Sequence, residues 1–215
     1  MRTPDVDRKE LIARLKTEFG EDEPIFTKEI ICSWKEYSRA RVSQILKEMC
    51  SDGTITRYDR GVYYLPKTSF WNTPLPITAV KVAEKKYMKA DGKVFGYYSG
   101  LKLLNYIGLS NQVPSKDEIV TMNETTRVRE VVIGKFYFIV RRSKMKITEE
   151  NAPLLQVLEI FNKRDTPLER YQKENIIALL GNKPIDKTLL LECAERFPKR
   201  ALKNLMNSEI GYLVT

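Results

Sequence analysis

The chain has 215 residues, 42% apolar and 30% charged, an ordinary profile for one large or two small globular domains. It has no histidine and only three cysteines, Cys32, Cys50 and Cys193, at spacings unlike any zinc pattern, so the commonest general base and metal ligand are missing and neither an enzyme, a metal nor a cofactor is expected. The net charge of +9 lies wholly in residues 67–147 (15 basic, 6 acidic), while residues 1–66 and 148–215 are each neutral; such a basic block favours a polyanionic partner.

Residues 6–19 read as an amphipathic helix, with Leu11, Ile12, Leu15 and Phe19 at helical spacing. Thr27 is the expected N-cap of a short helix over 28–34. Ser38 caps a third helix to about residue 51, whose apolar side is Val42, Ile45, Leu46 and Met49; Asp52-Gly53 ends it. Runs at 54–58 and 62–65, joined by Asp59-Arg60-Gly61, form a hairpin. Three helices and a hairpin in that order predict a winged helix-turn-helix over residues 1–66.

Pro66, Pro74 and Pro76 then bracket an extended linker, 67–76. A basic α/β domain is expected over 77–147. It has helices at 78–89 and 100–107, the second capped by Ser99 and closed by Gly108. Strands follow at 118–122, 128–133 and 136–141, the last two joined by Gly134-Lys135 into a small antiparallel sheet. The phrase Gly108 to Pro114 stops a helix and turns the chain toward a strand, a structural role favoured over ligand contact by Ser110, Asn111 or Gln112. Residues 148–215 are expected to form a helical C-terminal tail, part of the second domain, with helices near 149–163, 167–180, 186–196 and 198–208. The expected class is α+β, and no apolar run reaches the ~18 residues of a membrane span. The opening MRTPDVDRKELI lacks a signal peptide's apolar stretch, so the expected compartment is the cytoplasm and no membrane contact is expected.

An α-helix fits the major groove of duplex DNA. The face opposite Val42 and Met49 carries Ala40, Ser43, Gln44 and Lys47, flanked by Arg39 and Arg41 at the N-terminal end. Base contact is therefore assigned to Arg39, Arg41, Ser43 and Gln44, since arginine and glutamine can bond guanine and adenine through paired hydrogen bonds. Thr27, Lys28, Ser38 and Lys47 suit the phosphate backbone, and Arg57 and Arg60 put charge on the hairpin. A possible second nucleic-acid or partner surface comprises Lys81, Lys85, Lys86 and Lys89 with Arg141, Arg142, Lys144 and Lys146. The competing readings are a solvated polar face, a protein- or RNA-binding module, and a metal-dependent nuclease. The nuclease reading rests on the triplets Asp7-Arg8-Lys9, Glu84-Lys85-Lys86 and Asp91-Gly92-Lys93, none of which lies on the strand pair where acids would converge on a metal.

The phrases IFTKEI and SRARVSQILKEMCSDGTITRYDRGVYYLPK, followed by YYSGLKLLNYIGLSNQVP (97–114), resemble the AbiEi-type antitoxins of type IV toxin-antitoxin systems over about residues 20–147. The resemblance implies a bacterial transcriptional autorepressor, acting at inverted repeats upstream of its own operon. It also implies that the protein counters a nucleotidyltransferase toxin without a stable complex. A solitary winged-helix regulator is the alternative.

Overall fold

The computed structural model describes residues 8–67, 73–164 and 167–215. Asp7, the start of the first expected helix and half of the expected linker (68–72) lie outside the described residues. The chain divides into two compact units, 1–83 and 84–215. The expected boundary was the proline-bracketed linker; the division instead falls inside a helix that begins three residues after Pro76.

In the first unit, α1 (Arg8–Phe19) buries Leu11 and Leu15, and β1 (Ile25–Phe26) leads directly into α2 (Thr27–Ser33). Sequence reasoning makes Thr27 the N-cap of α2, but the cap position belongs to Phe26. Phenylalanine has no acceptor to offer, so Glu29 reaches back and accepts the Phe26 N–H (2.7 Å). The Thr27 hydroxyl and amide both donate to the Gly61 carbonyl (3.3 and 3.0 Å). That carbonyl sits in the turn between β2 (Thr56–Asp59) and β3 (Val62–Tyr64), so Thr27 ties α2 to the hairpin. Between α2 and the hairpin runs α3 (Arg39–Ser51). The three strands form an antiparallel sheet in the order β1-β3-β2, with Ile25 opposite Tyr63 and Arg57 opposite Tyr63 on the other side. One core serves the unit: Trp34, Leu15, Ile30, Val42, Leu46, Met49 and Ile55 are all essentially inaccessible.

Ser38 caps α3 as expected. Its Oγ accepts the Arg41 N–H at 3.2 Å, satisfying one of the amides a helix start leaves unpaired. Ser38→Ala is expected to destabilise the first unit by about 1 kcal/mol, and Ser38→Asp to retain that stability, read from urea unfolding of the full chain.

The division lies within α4 (Ala79–Tyr87). In the second unit a hairpin of β4 (Lys89–Ala90) and β5 (Lys93–Val94) turns through Asp91 and Gly92, both at positive φ (50° and 71°). Then come β6 (Gly96–Ser99), α5 (Gly100–Ile107), β7 (Asp117–Thr121), β8 (Val128–Ile133) and β9 (Phe136–Arg142). The four longer strands form one sheet in the order β6-β7-β9-β8. The sheet is mixed rather than purely antiparallel, because β7 and β9 run parallel (Ile119 opposite Val140) and β8 lies at the edge. The chain reaches that edge by turning after β7. The buried Glu124 carboxylate accepts the Thr125 and Thr126 amides (2.9 and 3.1 Å) and pairs with Arg129 at 2.5 Å, bending 122–127 back.

The helical part comprises α6 (Ala152–Lys163), α7 (Arg170–Leu179), α8 (Lys187–Ala194) and α9 (Lys199–Met206), with a short 3-10 turn at Gly211–Leu213. It is no tail: α6 is buried along most of its length and supplies Leu154, Leu155, Val157, Leu158, Ile160 and Phe161 to the core that also takes in Tyr97 and Val120 of the sheet. Gly108 closes α5 at φ 80°. Its carbonyl accepts the Tyr171 hydroxyl (3.1 Å) and Gln172 Nε2 (2.9 Å), while Asn175 Nδ2 donates to the Ile107 carbonyl (3.1 Å). The Gly108–Pro114 phrase thus anchors α5 to α7. Gln112 N–H bonds Ser110 Oγ and its carbonyl takes Asn105 Nδ2, in keeping with the structural reading of that phrase. Among the described residues, no helix is long and apolar enough to cross a membrane.

Candidate nucleic-acid interface

The helix α3 has two unlike sides because its residues alternate with the 3.6-residue period. Val42, Ile45, Leu46 and Met49 are buried, whereas Arg39, Ala40, Ser43, Gln44 and Lys47 are exposed. Arg39, Gln44 and Lys47 have no carboxylate partner among the described residues. Two acids near the end of the helix do not compete with them, since Glu48 (3.9 Å) and Asp52 both pair with Arg8 of α1. Sequence reasoning missed that role of Arg8; an arginine near a helix start, far along the chain from its acids, leaves no local signal.

The other expected contacts differ in availability. The Ser43 hydroxyl donates to the Arg39 carbonyl one turn back (3.0 Å), so toward a ligand it retains only acceptor capacity. Arg41 is half-buried, and its Nε has no hydrogen-bond partner and no solvent access. Lys28 projects exposed from α2, and Thr27 is held by Gly61 as described. On the hairpin, Arg60 is exposed and its amide bonds the Asp59 carboxylate (2.6 Å), while Arg57 Nε donates to the Asp59 carbonyl (3.3 Å). The exposed cations of α2, α3 and the hairpin are therefore carried on elements that share one core, and the Thr27–Gly61 bond ties α2 to the hairpin.

The second basic set does not hold together as one surface of free charges. The Lys81 ammonium bonds the Asp22 carboxylate (2.7 Å) and carbonyl (2.8 Å) and reaches Glu23 (3.3 Å). The hydrogen bond to Asp22 is the chief cause of its raised pKa, ahead of the opposing effect of burial. Arg141 is likewise engaged: Nη2 donates to Ser99 Oγ (2.6 Å) and to Glu159 (3.1 Å), and Nε lies 3.8 Å from Glu118. The i, i+4 spacing that put Lys81 on a shared face with Lys85 and Lys89 could not reveal an acid 59 residues away. Lys86 stacks over the Tyr87 ring (5.2 Å), and Lys89 lies on β4, not on the helix. Arg142, Lys144 and Lys146 remain exposed.

Among the described residues, no three acidic or cysteine side chains converge as metal ligands would. The three cysteines are free thiols, and burial pushes that of Cys193 up to about 11. No family model matches the chain, and no curated protein matches it.

Proposed function

We propose that this protein is a winged helix-turn-helix DNA-binding regulator. Its α3 is the recognition helix and its β2–β3 hairpin the wing. The observation that carries this reading is the solvent-exposed face of α3: Arg39, Gln44 and Lys47 stand unpaired while the opposite side of the same helix is sealed in the core. The N-terminal part of such a helix usually enters the major groove, which assigns Arg39 and Gln44 to base edges and Lys47 to a phosphate. Half-buried Arg41 and helix-bonded Ser43 take supporting places. Lys28 and Arg60 are suited to flanking phosphates.

The test is a fluorescence anisotropy titration of the full chain with duplexes from the DNA upstream of its own coding sequence and with scrambled duplexes. Binding is expected to weaken steeply with salt. Lys47→Ala is expected to weaken all duplexes alike and reduce the slope of log K against log salt by about 0.9, the loss of one phosphate contact. Absence of binding to any duplex at low salt overturns the proposal.

The resemblance to AbiEi-type antitoxins supports a narrower form of the same reading. The protein then represses its own operon at inverted repeats and counters a nucleotidyltransferase toxin. Co-expression with an adjacent nucleotidyltransferase gene is the check: rescue of growth supports the antitoxin role, and continued toxicity leaves a solitary regulator.

A further inference from the structure

The second unit contains a cleft of about 270 Å³ that plays no part in the reading above. Four cations line it, Arg141, Arg142, Lys144 and Arg196, against one carboxylate, Glu159. Arg141 and Glu159 pair with each other at 3.1 Å, which keeps Arg141 rigid and removes the lone negative charge from competition. Arg142, Lys144 and Arg196 have no carboxylate partner among the described residues. Like charges converging in a concave, partly desolvated space raise the local potential and favour an anion.

The chemistry of these donors favours an oxyanion with several acceptor oxygens. Two guanidinium groups offer planar forks that match the paired oxygens of a phosphate, and Lys144 adds a mobile point charge. Pro198, on the same wall, is the N-cap of α9; no side chain caps the helix, and the Pro198 carbonyl accepts the Ala201 N–H (2.9 Å). The remaining lining mixes apolar and aromatic groups, Tyr97, Val120, Leu155 and Phe197, with the polar Ser143 and Asn162. Burial raises the Tyr97 phenol well above its ordinary range, so it stays neutral beside the cations. The volume falls just under the ~300–1,000 Å³ of drug-sized ligand sites, enough for a phosphate with a compact organic group. A duplex backbone is convex and would meet only the rim.

We propose that this cleft binds a small phosphomonoester, no larger than a nucleoside monophosphate, with Arg142, Lys144 and Arg196 on the phosphate and the Tyr97–Phe197 wall on the organic part.

The experiment is isothermal titration of the full chain with inorganic phosphate, ribose 5-phosphate and AMP, at constant ionic strength set with sodium chloride. Saturable binding is expected, tighter for at least one ester than for phosphate alone. Arg196→Gln and Lys144→Gln should each weaken it about tenfold or more, whereas Lys183→Gln, outside the cleft, should not. Thermal melts without ligand should coincide for all variants, which separates lost binding from lost folding. No saturation with any of the three, or binding that survives both cleft substitutions, overturns the proposal. Equal affinity for phosphate and both esters overturns the role of the aromatic wall. Should a 20-base-pair duplex lose affinity on the same substitutions while the small ligands fail to saturate, the cations belong to a nucleic-acid track and the cleft proposal falls.

Discussion

Arg39→Ala combined with Gln44→Ala is expected to lower affinity for the cognate duplex by about 3 kcal/mol, roughly 100-fold, and to leave weak binding to scrambled DNA much less changed. Each side chain can make a bidentate contact worth about 1–3 kcal/mol of discrimination, and such contacts read sequence whereas phosphate contacts do not. Both residues are exposed and neither has a carboxylate partner among the described residues, so the double variant should melt with the parent. The comparison with Lys47→Ala is diagnostic: specificity should fall in the first case and overall affinity in the second. A double variant that binds both duplexes as the parent does removes α3 from the groove.

Gly96→Ala should destabilise the second unit by about 3 kcal/mol or more, the upper range for inserting atoms into a closed site. A Cβ at this position would lie 2.0 Å from the Tyr87 carbonyl oxygen and 2.8 Å from that of Val120. Both obstacles are backbone, so no side chain can swing away. Relief requires β6 to move off β7, where Gly96 pairs with Thr121, or off the end of α4, where the Gly96 N–H donates to the Met88 carbonyl (3.1 Å). Urea unfolding followed by tryptophan-independent far-UV circular dichroism measures the loss, since both tryptophans lie outside this unit. A variant as stable as the parent would mean that the three backbone segments can separate at little cost.

Much of the local structure was legible in the sequence. The expected strands at 128–133 and 136–141 match β8 and β9 within one residue, and the helix at 100–107 matches α5, because Gly134 and Gly108 terminate elements by their backbone freedom. The buried and exposed sides of α3 also follow from periodicity alone. Short strands escaped: β1 is two residues long, too short for any alternation, and β4–β5 show only the Asp91-Gly92 turn that joins them. The cap of α2 was misplaced by one residue because threonine is a good capping residue, whereas here the helix is closed by Glu29 reaching back to a residue that cannot cap.

By itself the sequence determined the helices, the β2–β3 hairpin and the strands β7 to β9, the polarity of α3, and the lack of any histidine. These depend on neighbours a few positions apart, where side-chain period and turn preference act. Only the tertiary structure decided which basic groups are available: Asp22 and Glu23 take Lys81, Ser99 and Glu159 take Arg141, and Arg196 joins Arg142 and Lys144 in a cleft. It also decided that β9 lies between β7 and β8. Coulomb attraction and core burial act through space, between groups tens of residues apart, and no local pattern records which acid a folded chain will bring to a given lysine or arginine.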